Sequence, residues 1–285
     1  KEDFKSEAVL PWGVTTYYRA TSPAIGGTFT SLEPSQEKLD KAEPTWKDSM
    51  NDYNVMIVTI ARAAGENTNY TPGEEGVNPE QNLNQADPLG LSDTERATID
   101  AAVKAKEQNG GKVIVLLNNA SAMEIDELKN NDGIDAMLEV GIPGGYGFYG
   151  VADVLSGDAN PSGHLADTYA VDNSASPAAQ NYGDYEWTNA DSDYSINSEI
   201  VEAESIYTGY KYYETRYADT VLGQGNASDS VGSSTGGAWT YDSEVSYPFG
   251  YGLSYTTFTQ TLDSLNVDLE KKTVTAEVTV KIVEA

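Results

Sequence analysis

A glutamate at the end of an apolar segment is the first candidate for chemistry in this sequence. Residues 55–62 read VMIVTIAR, a run of apolar and β-branched residues typical of a buried strand, and Ala63, Ala64 and Gly65 then lead to Glu66. Ligands of open α/β sheets bind at the carboxyl ends of the strands, so Glu66 is the first residue to test for chemistry. The alternative is that Glu66, one of 45 acidic residues, begins a solvated loop.

Composition excludes several classes of function. The 285 residues are 39% hydrophobic, which suits a soluble globular protein, and no apolar run approaches the roughly 20 residues that cross a bilayer. With 17 basic and 45 acidic residues the net charge is −28, which repels nucleic acid and anionic lipid surfaces. The absence of cysteine and the single histidine, His164, argue against thiolate and histidine-rich metal sites, and we expect no cofactor.

The first half of the chain alternates strand and helix patterns. Ser92 and Glu95 form the S-x-x-E capping box of a helix over residues 93–108, which Gly110 and Gly111 close. Further helices are expected at 35–43, 122–130 and 144–156, and further strands at 112–118 and 134–140. This order predicts an α/β fold, a three-layer αβα sandwich with a mostly parallel sheet.

The second half is less regular. Residues 157–205 are rich in Asp, Asn, Ser, Pro and Gly and predict an irregular surface excursion, whereas the aromatic run 206–217 favours a strand. Two alternating apolar runs within 261–283 predict a β-hairpin. Because a lone hairpin leaves unpaired edges, we expect this tail to pack on the rest of the chain or on another copy.

Gly145, Gly147 and Gly150 spell the G-x-G-x-x-G dinucleotide fingerprint. Pro143 interrupts the approach to these glycines, and bulky aromatic residues stand between them where a pyrophosphate would lie. A helix start explains the pattern better than cofactor binding.

Two further motifs have structural explanations. Residues 128–139 are close to an EF-hand loop, but Leu128 occupies the first ligand position, so a turn between helix and strand is the better interpretation. His164 has no Ser and Asp partners at an interpretable spacing, and we interpret it as structural.

Several stretches together resemble the α/β sandwich domain of glycoside hydrolase family 3, the β-glucosidase family. They are Arg62-Ala63-Ala64-Gly65-Glu66, VIVLLNNASAMEI at 113–125, IPGGYGFYGVADVLSGDANPSGHLADTY at 142–169, and GYKYYETRY followed by YPFGYGLSYTTF. The resemblance covers roughly residues 50–258 and implies a sandwich domain at 1–259, poorly matched over 1–49. Residues 260–285 resemble the truncated start of a fibronectin type III-like domain.

The resemblance implies retaining hydrolysis of a β-linked glucoside or oligosaccharide by two carboxylates. The nucleophile would lie on a (β/α)8 barrel of the same polypeptide that this chain lacks, and Glu66 would be the general acid/base. Asn67, Thr68 and Asn69 depart from the family's usual Gly-x-Asp after that glutamate, so Glu74 and Glu75 in the same loop are the fallback candidates.

A second hypothesis belongs to a different class of function. In it the chain is a non-catalytic carbohydrate-binding or interaction module of doubly wound fold, whose tyrosines and tryptophans stack on sugars. The 19 tyrosines and four tryptophans suit this function and suit an ordinary core equally well.

Overall fold

The computed structural model describes residues 36–62, 87, 89–183, 185–186, 198–225 and 227–283. It divides into two compact units: unit 1 comprises residues 1–143 and 167–249, and unit 2 comprises residues 144–166 and 250–285. Among the helices within these ranges, none is both long and apolar enough to cross a membrane.

The regular elements of the described residues comprise both helices and strands, and several of those between residues 169 and 199 are only two to five residues long. In order they are α1 (Gln36–Ala42), α2 (Trp46–Ser49), β1 (Val55–Ala61), α3 (Asp93–Asn109), β2 (Lys112–Asn118), α4 (Asp126–Lys129), β3 (Ala136–Glu139), α5 (Gly144–Ser156), β4 (Tyr169–Ala170), α6 (Pro177–Asn181), β5 (Tyr185–Glu186), β6 (Ser198–Glu199), α7 (Tyr210–Val221), α8 (Tyr241–Glu244), β7 (Val245–Tyr247), β8 (Thr257–Asp268) and β9 (Thr273–Val283).

The main sheet of unit 1 is parallel, in the order β1-β2-β3. Val55 pairs with Lys112 at its start and Ala61 with Asn118 at its end, so the strands finish together at one edge. Alternate residues of β1 are buried, whereas β2 is buried almost continuously, as a central strand requires. The parallel sheet with its helices confirms the predicted α/β class and agrees with the sandwich prediction.

Helix α3 packs against β1 and β2 and has the ends that the sequence predicts. The Ser92 side chain accepts a hydrogen bond from the Glu95 amide at 3.2 Å, and the Glu95 carboxylate accepts one from the Ser92 amide at 2.8 Å. Gly110 ends the helix with φ of +72°, a left-handed conformation that costs a residue with a Cβ about 1 kcal/mol or more. The capping box and the glycine stop are both confirmed.

The predicted strand at 206–217 is wrong, because α7 occupies residues Tyr210–Val221. The buried residues of this helix are Tyr212, Tyr213 and Arg216, a spacing that one side of a helix satisfies and that alternation in a strand would split between two faces. The tyrosines pack with Trp239 and Val245 in a small aromatic core. Burial therefore overrides the strand preference of aromatic residues.

Unit 2 contains α5 and the hairpin formed by β8 and β9. The predicted bounds of α5 are confirmed, and Gly145, Gly147 and Gly150 lie inside the helix rather than in a loop before it. The hairpin is antiparallel, with Val267 opposite Val274 next to its turn. A bulge at residues 262–264 changes the alternation of β8, so that Leu262 and Leu265 both lie on the apolar face with Val278 and Ala276.

Candidate active site at the carboxyl edge of the sheet

The three sequence candidates for the acid, Glu66, Glu74 and Glu75, lie outside the described residues. The structure describes the chain on both sides of the segment that carries them, up to Arg62 after β1 and again from Asp87 before α3. The site is therefore built here from these two flanks and from the neighbouring strand ends.

A buried ion pair joins the two flanks. The guanidinium of Arg62 contacts the Glu95 carboxylate with both of its terminal nitrogens, one of them at 2.9 Å, and it also donates to the Gly90 carbonyl at 2.6 Å. The Arg62 side chain is 0% exposed and that of Glu95 is 1% exposed, so the pair lies within the protein interior. The residues before and after 63–86 are thus held together at the carboxyl end of β1.

A second feature of this edge is a group of acidic side chains around Glu124, which follows β2. The Glu124 carboxylate accepts a hydrogen bond from the Asn173 amide at 2.7 Å and is hydrogen-bonded to the Asp87 carboxyl group. Asp172 lies close enough to disfavour further negative charge. We call Asp87, Glu124, Asp172 and Asn173 the carboxyl junction.

The carboxyl junction holds an acid that remains protonated at neutral pH. Burial, the hydrogen bond that the protonated Glu124 donates to Asp87, and the charges of Asp87 and Asp172 together raise the pKa of Glu124 from 4.5 to about 8. This position therefore favours the protonated form of Glu124.

A third glutamate stands at the end of β3. Glu139 accepts from the Tyr169 hydroxyl at 2.7 Å and from the Gly141 amide at 2.7 Å. Burial raises the pKa of Glu139 above its usual value, and burial together with the neighbouring carboxylate raises the pKa of the Tyr169 hydroxyl. The edge of the sheet therefore carries two carboxyl groups, those of Glu124 and Glu139, whose environment favours the protonated form.

Sequence reasoning missed Glu124 and gave Glu139 only as the last position of an EF-hand-like run. That run is the turn between α4 and β3, as interpreted from the sequence. Both glutamates follow or end a predicted strand, as Glu66 does, and the same rule applied to every strand would have found them. His164 is exposed, and its Nδ1 lies 3.1 Å from the Ser162 carbonyl oxygen, a local contact that indicates no catalytic partner.

An open aromatic groove of about 830 Å³ lies elsewhere on unit 1. Tyr210 stacks on Phe249 with ring centroids 4.2 Å apart, and Tyr217 meets Tyr241 edge-on at 5.3 Å. The Tyr241 hydroxyl donates to Glu214 at 2.5 Å. Exposed rings beside polar groups are the composition that binds sugars.

Comparison with known proteins gives matches in sequence and in structure. Beta-glucosidase A of Butyrivibrio fibrisolvens is 33% identical over 156 residues, which are 55% of this chain and 15% of that protein. A beta-glucosidase of Ruminococcus albus is 29% identical over 245 residues, 85% of this chain and 20% of that protein. This chain thus spans a fifth or less of the length of these two relatives.

The structure of beta-glucosidase 3B from Thermotoga neapolitana in complex with glycerol is similar to this chain with a TM-score of 0.54 and 29% identity. The similarity covers 83% of this chain and 26% of that one. The sequence model of the glycosyl hydrolase family 3 C-terminal domain matches residues 9–255, and the match includes the parallel sheet, the ion pair and the carboxyl junction described above. This chain belongs to the glycosyl hydrolase family 3 C-terminal domain family.

Proposed function

We propose that this chain is the second domain of a retaining β-glucosidase and that it supplies the general acid/base carboxyl group from residues 63–86. The observation that carries the proposal is the buried Arg62–Glu95 pair, which holds the two ends of this segment at the edge of the sheet where ligands of such folds bind. The names of the relatives support the substrate class, a β-linked glucoside or oligosaccharide.

Glu66 is the first candidate for the acid because of its distance along the chain from Arg62. They are four positions apart in the sequence, and an extended chain of that length spans at most about 14 Å. Glu74 lies twelve residues from Arg62, so the anchor restricts its position less. Glu74 and Glu75 remain the fallback candidates.

Retaining hydrolysis needs a second carboxylate, the nucleophile, about 5–5.5 Å from the acid. We assign it to a (β/α)8 barrel elsewhere in the same polypeptide, because the resemblance to the family implies one. It follows that this chain alone is inactive. Hydrolysis of an aryl β-glucoside by the pure 285-residue chain, abolished by a substitution within the chain, would refute this division of the site.

The general acid can be identified because the rate loss caused by its substitution depends on the leaving group of the substrate. General acid catalysis is worth roughly 10²–10⁴-fold and matters most for poor leaving groups. In the polypeptide that includes the barrel, Glu66→Gln should slow alkyl glucosides by this factor and spare glycosylation by substrates with an activated phenol. Glu74→Gln and Glu75→Gln are the matched controls, and the pattern in either of them instead would reassign the acid.

A second function, non-catalytic carbohydrate binding, is favoured by the aromatic groove. Tyr207 is 46% exposed, Tyr210 is 37% exposed, and the Lys211 and Glu214 side chains lie beside them as hydrogen-bonding groups. Titration of the chain with cellobiose should then perturb the tyrosine resonances of the groove, and Tyr210→Ala should abolish the effect. No binding by the chain at millimolar cellobiose would exclude this function for that sugar.

A further inference from the structure

Three separate segments of unit 1 meet at Glu124. The Glu124 amide donates to the Leu89 carbonyl at 3.0 Å, and the Leu89 amide donates to the Asp87 carboxylate at 2.8 Å. From the other side, the Asn173 amide donates to the Glu124 carboxylate at 2.7 Å, and the Asn173 side chain donates to the Ala122 carbonyl at 3.1 Å. Through its backbone amide and its carboxyl group, Glu124 thus links the approach to α3, the loop after β2 and the turn after β4.

The hydrogen bond between Glu124 and Asp87 requires a proton. A carboxylate only accepts hydrogen bonds, so the contact between the two side chains exists when one of them is protonated. When both lose their protons, the same contact becomes a repulsion between like charges in a partly buried place.

The titratable groups that face Glu124 come from three segments, and all of them are acids. Asp87 precedes α3, Asp172 follows β4, and Tyr213 lies on α7, where the charge of Glu124 contributes to raising the pKa of its hydroxyl. Asp87 and Asp172 disfavour a negative charge on Glu124, and together with burial they outweigh the Asn173 amide, whose hydrogen bond favours the charge.

We propose that Glu124 is a positioning residue whose protonated carboxyl group fixes Asp87 and residues 89–91 against the loop after β2 and against Asn173, and that loss of the proton loosens this junction. Asp87 and residues 89–91 directly follow the segment that carries the candidate acids. The effect on catalysis rests on the proposed function, whereas the junction itself is a property of this chain.

The direction of the pH dependence follows from the raised pKa. The pKa of Glu124 is 4.5 ordinarily and about 8 in the folded protein, so the folded protein binds this proton more tightly than the unfolded chain does. The stabilisation is complete below pH 4.5 and is lost as pH rises through 8. Glu124→Gln mimics the neutral carboxyl group and keeps a donor for Asp87 and an acceptor for Asn173, so it should remove this dependence.

The first test measures the melting temperature of the 285-residue chain between pH 5 and pH 9.5. Relative to the wild type, Glu124→Gln should gain about 3 °C or more on going from pH 6 to pH 9, the shift expected for one pKa unit of proton linkage in a domain of this size. Glu107→Gln, which removes an exposed carboxylate from α3, should follow the wild-type curve. Parallel curves for all three proteins would overturn the proposal.

The main result of a second measurement comes from the wild-type chain, so it does not depend on the folding of a variant. The side-chain carboxyl carbons of the wild-type chain, followed by NMR, should include one glutamate that titrates near pH 8. Asp87→Asn, which removes the negative charge beside Glu124, should move this titration to lower pH. If every glutamate titrates below pH 6, the junction does not hold a proton and the proposal is wrong.

The catalytic consequence is read from kinetics of the polypeptide that includes the barrel. Glu124→Gln should move the alkaline limb of the kcat/KM profile to higher pH and leave the rate at pH 6 within about threefold of the wild type. An unchanged alkaline limb would refute the positioning role. If that polypeptide shows no glycosidase activity at any pH, the proposed function fails, and the melting curves and the NMR titration still decide the junction.

Discussion

Replacing Glu95 by glutamine tests whether a buried ion pair holds the two ends of residues 63–86 together. Glutamine at this position keeps the acceptor that the capping box needs, because glutamate and glutamine serve equally there. What it removes is the negative charge beside Arg62, whose guanidinium is fully buried. The substitution therefore tests the contribution of the ion pair to stability while it leaves the capping box of α3 in place.

The expected cost is large because the fully buried guanidinium of Arg62 loses the carboxylate charge of Glu95. Removing one partner of a buried pair typically costs about 3–5 kcal/mol. Arg62 retains the Gly90 and Ala61 carbonyls as acceptors, which places the expectation near the lower limit, about 3 kcal/mol. Domains are stable by only about 5–15 kcal/mol in total, so this is a substantial fraction.

The matched control is Glu127→Gln. Glu127 forms a two-pronged pair with Arg96, with both contacts at 2.8 Å, but the two side chains are 44% and 45% exposed. An exposed pair contributes about 0.2–1 kcal/mol. In urea denaturation of the chain, Glu95→Gln should lower the midpoint by about 1 M and Glu127→Gln by at most a third of that. Equal shifts for the two variants would refute the reasoning.

Three further predictions concern the capping box of α3, the melting temperature below pH 4, and the hairpin of β8 and β9. Ser92→Ala should cost about 1 kcal/mol in the same urea experiment, because it removes only the side-chain half of the capping box, and a cost equal to that of Glu95→Gln would contradict this. Lys106 and Lys112 lower the pKa of Asp135 below its ordinary value of 3.8, so its stabilisation is present above that pH and is lost as pH falls. Asp135→Asn should therefore reduce the fall in melting temperature as the pH decreases below 4. An unchanged fall would contradict a stabilising role for the Asp135 carboxylate. Amides paired between β8 and β9 should exchange slowly because we expect the apolar face of the hairpin to be covered in solution, and rapid exchange in a monodisperse monomer would show that it is not.

Local signals in the sequence predicted the first half of unit 1 well. The capping box at Ser92 and Glu95 and the stop at Gly110 involve residues close in sequence, so their pattern alone sets the ends of α3. The central strand was recognised because a strand covered on both faces is continuously apolar. The hairpin of β8 and β9 was found from its alternation, although the bulge at residues 262–264 was not.

Features that depend on distant contacts were missed. The helix α7 was taken for a strand because its tyrosines favour strands, whereas the packing of Tyr213 against Trp239 and Val245 requires a helical spacing. The carboxyl junction joins Glu124 to Asn173, 49 positions away, and to Asp87 from a third segment. No local sequence pattern predicts contacts between such distant segments. The rule that ligands bind at the carboxyl ends of parallel strands indicates only that Glu124 lies at the functional edge of the sheet.

The most direct test of the central claim is chemical rescue of the acid/base variant by azide. In the polypeptide that includes the barrel, Glu66→Gln with an activated aryl β-glucoside should accumulate the glycosyl-enzyme, because no general base activates water. Azide needs no such base, so it should restore turnover and yield the β-glycosyl azide, identified by NMR. If Glu66→Gln, Glu74→Gln and Glu75→Gln all fail to form this product and all retain wild-type turnover of alkyl glucosides, none of these three glutamates is the acid/base and the account is contradicted.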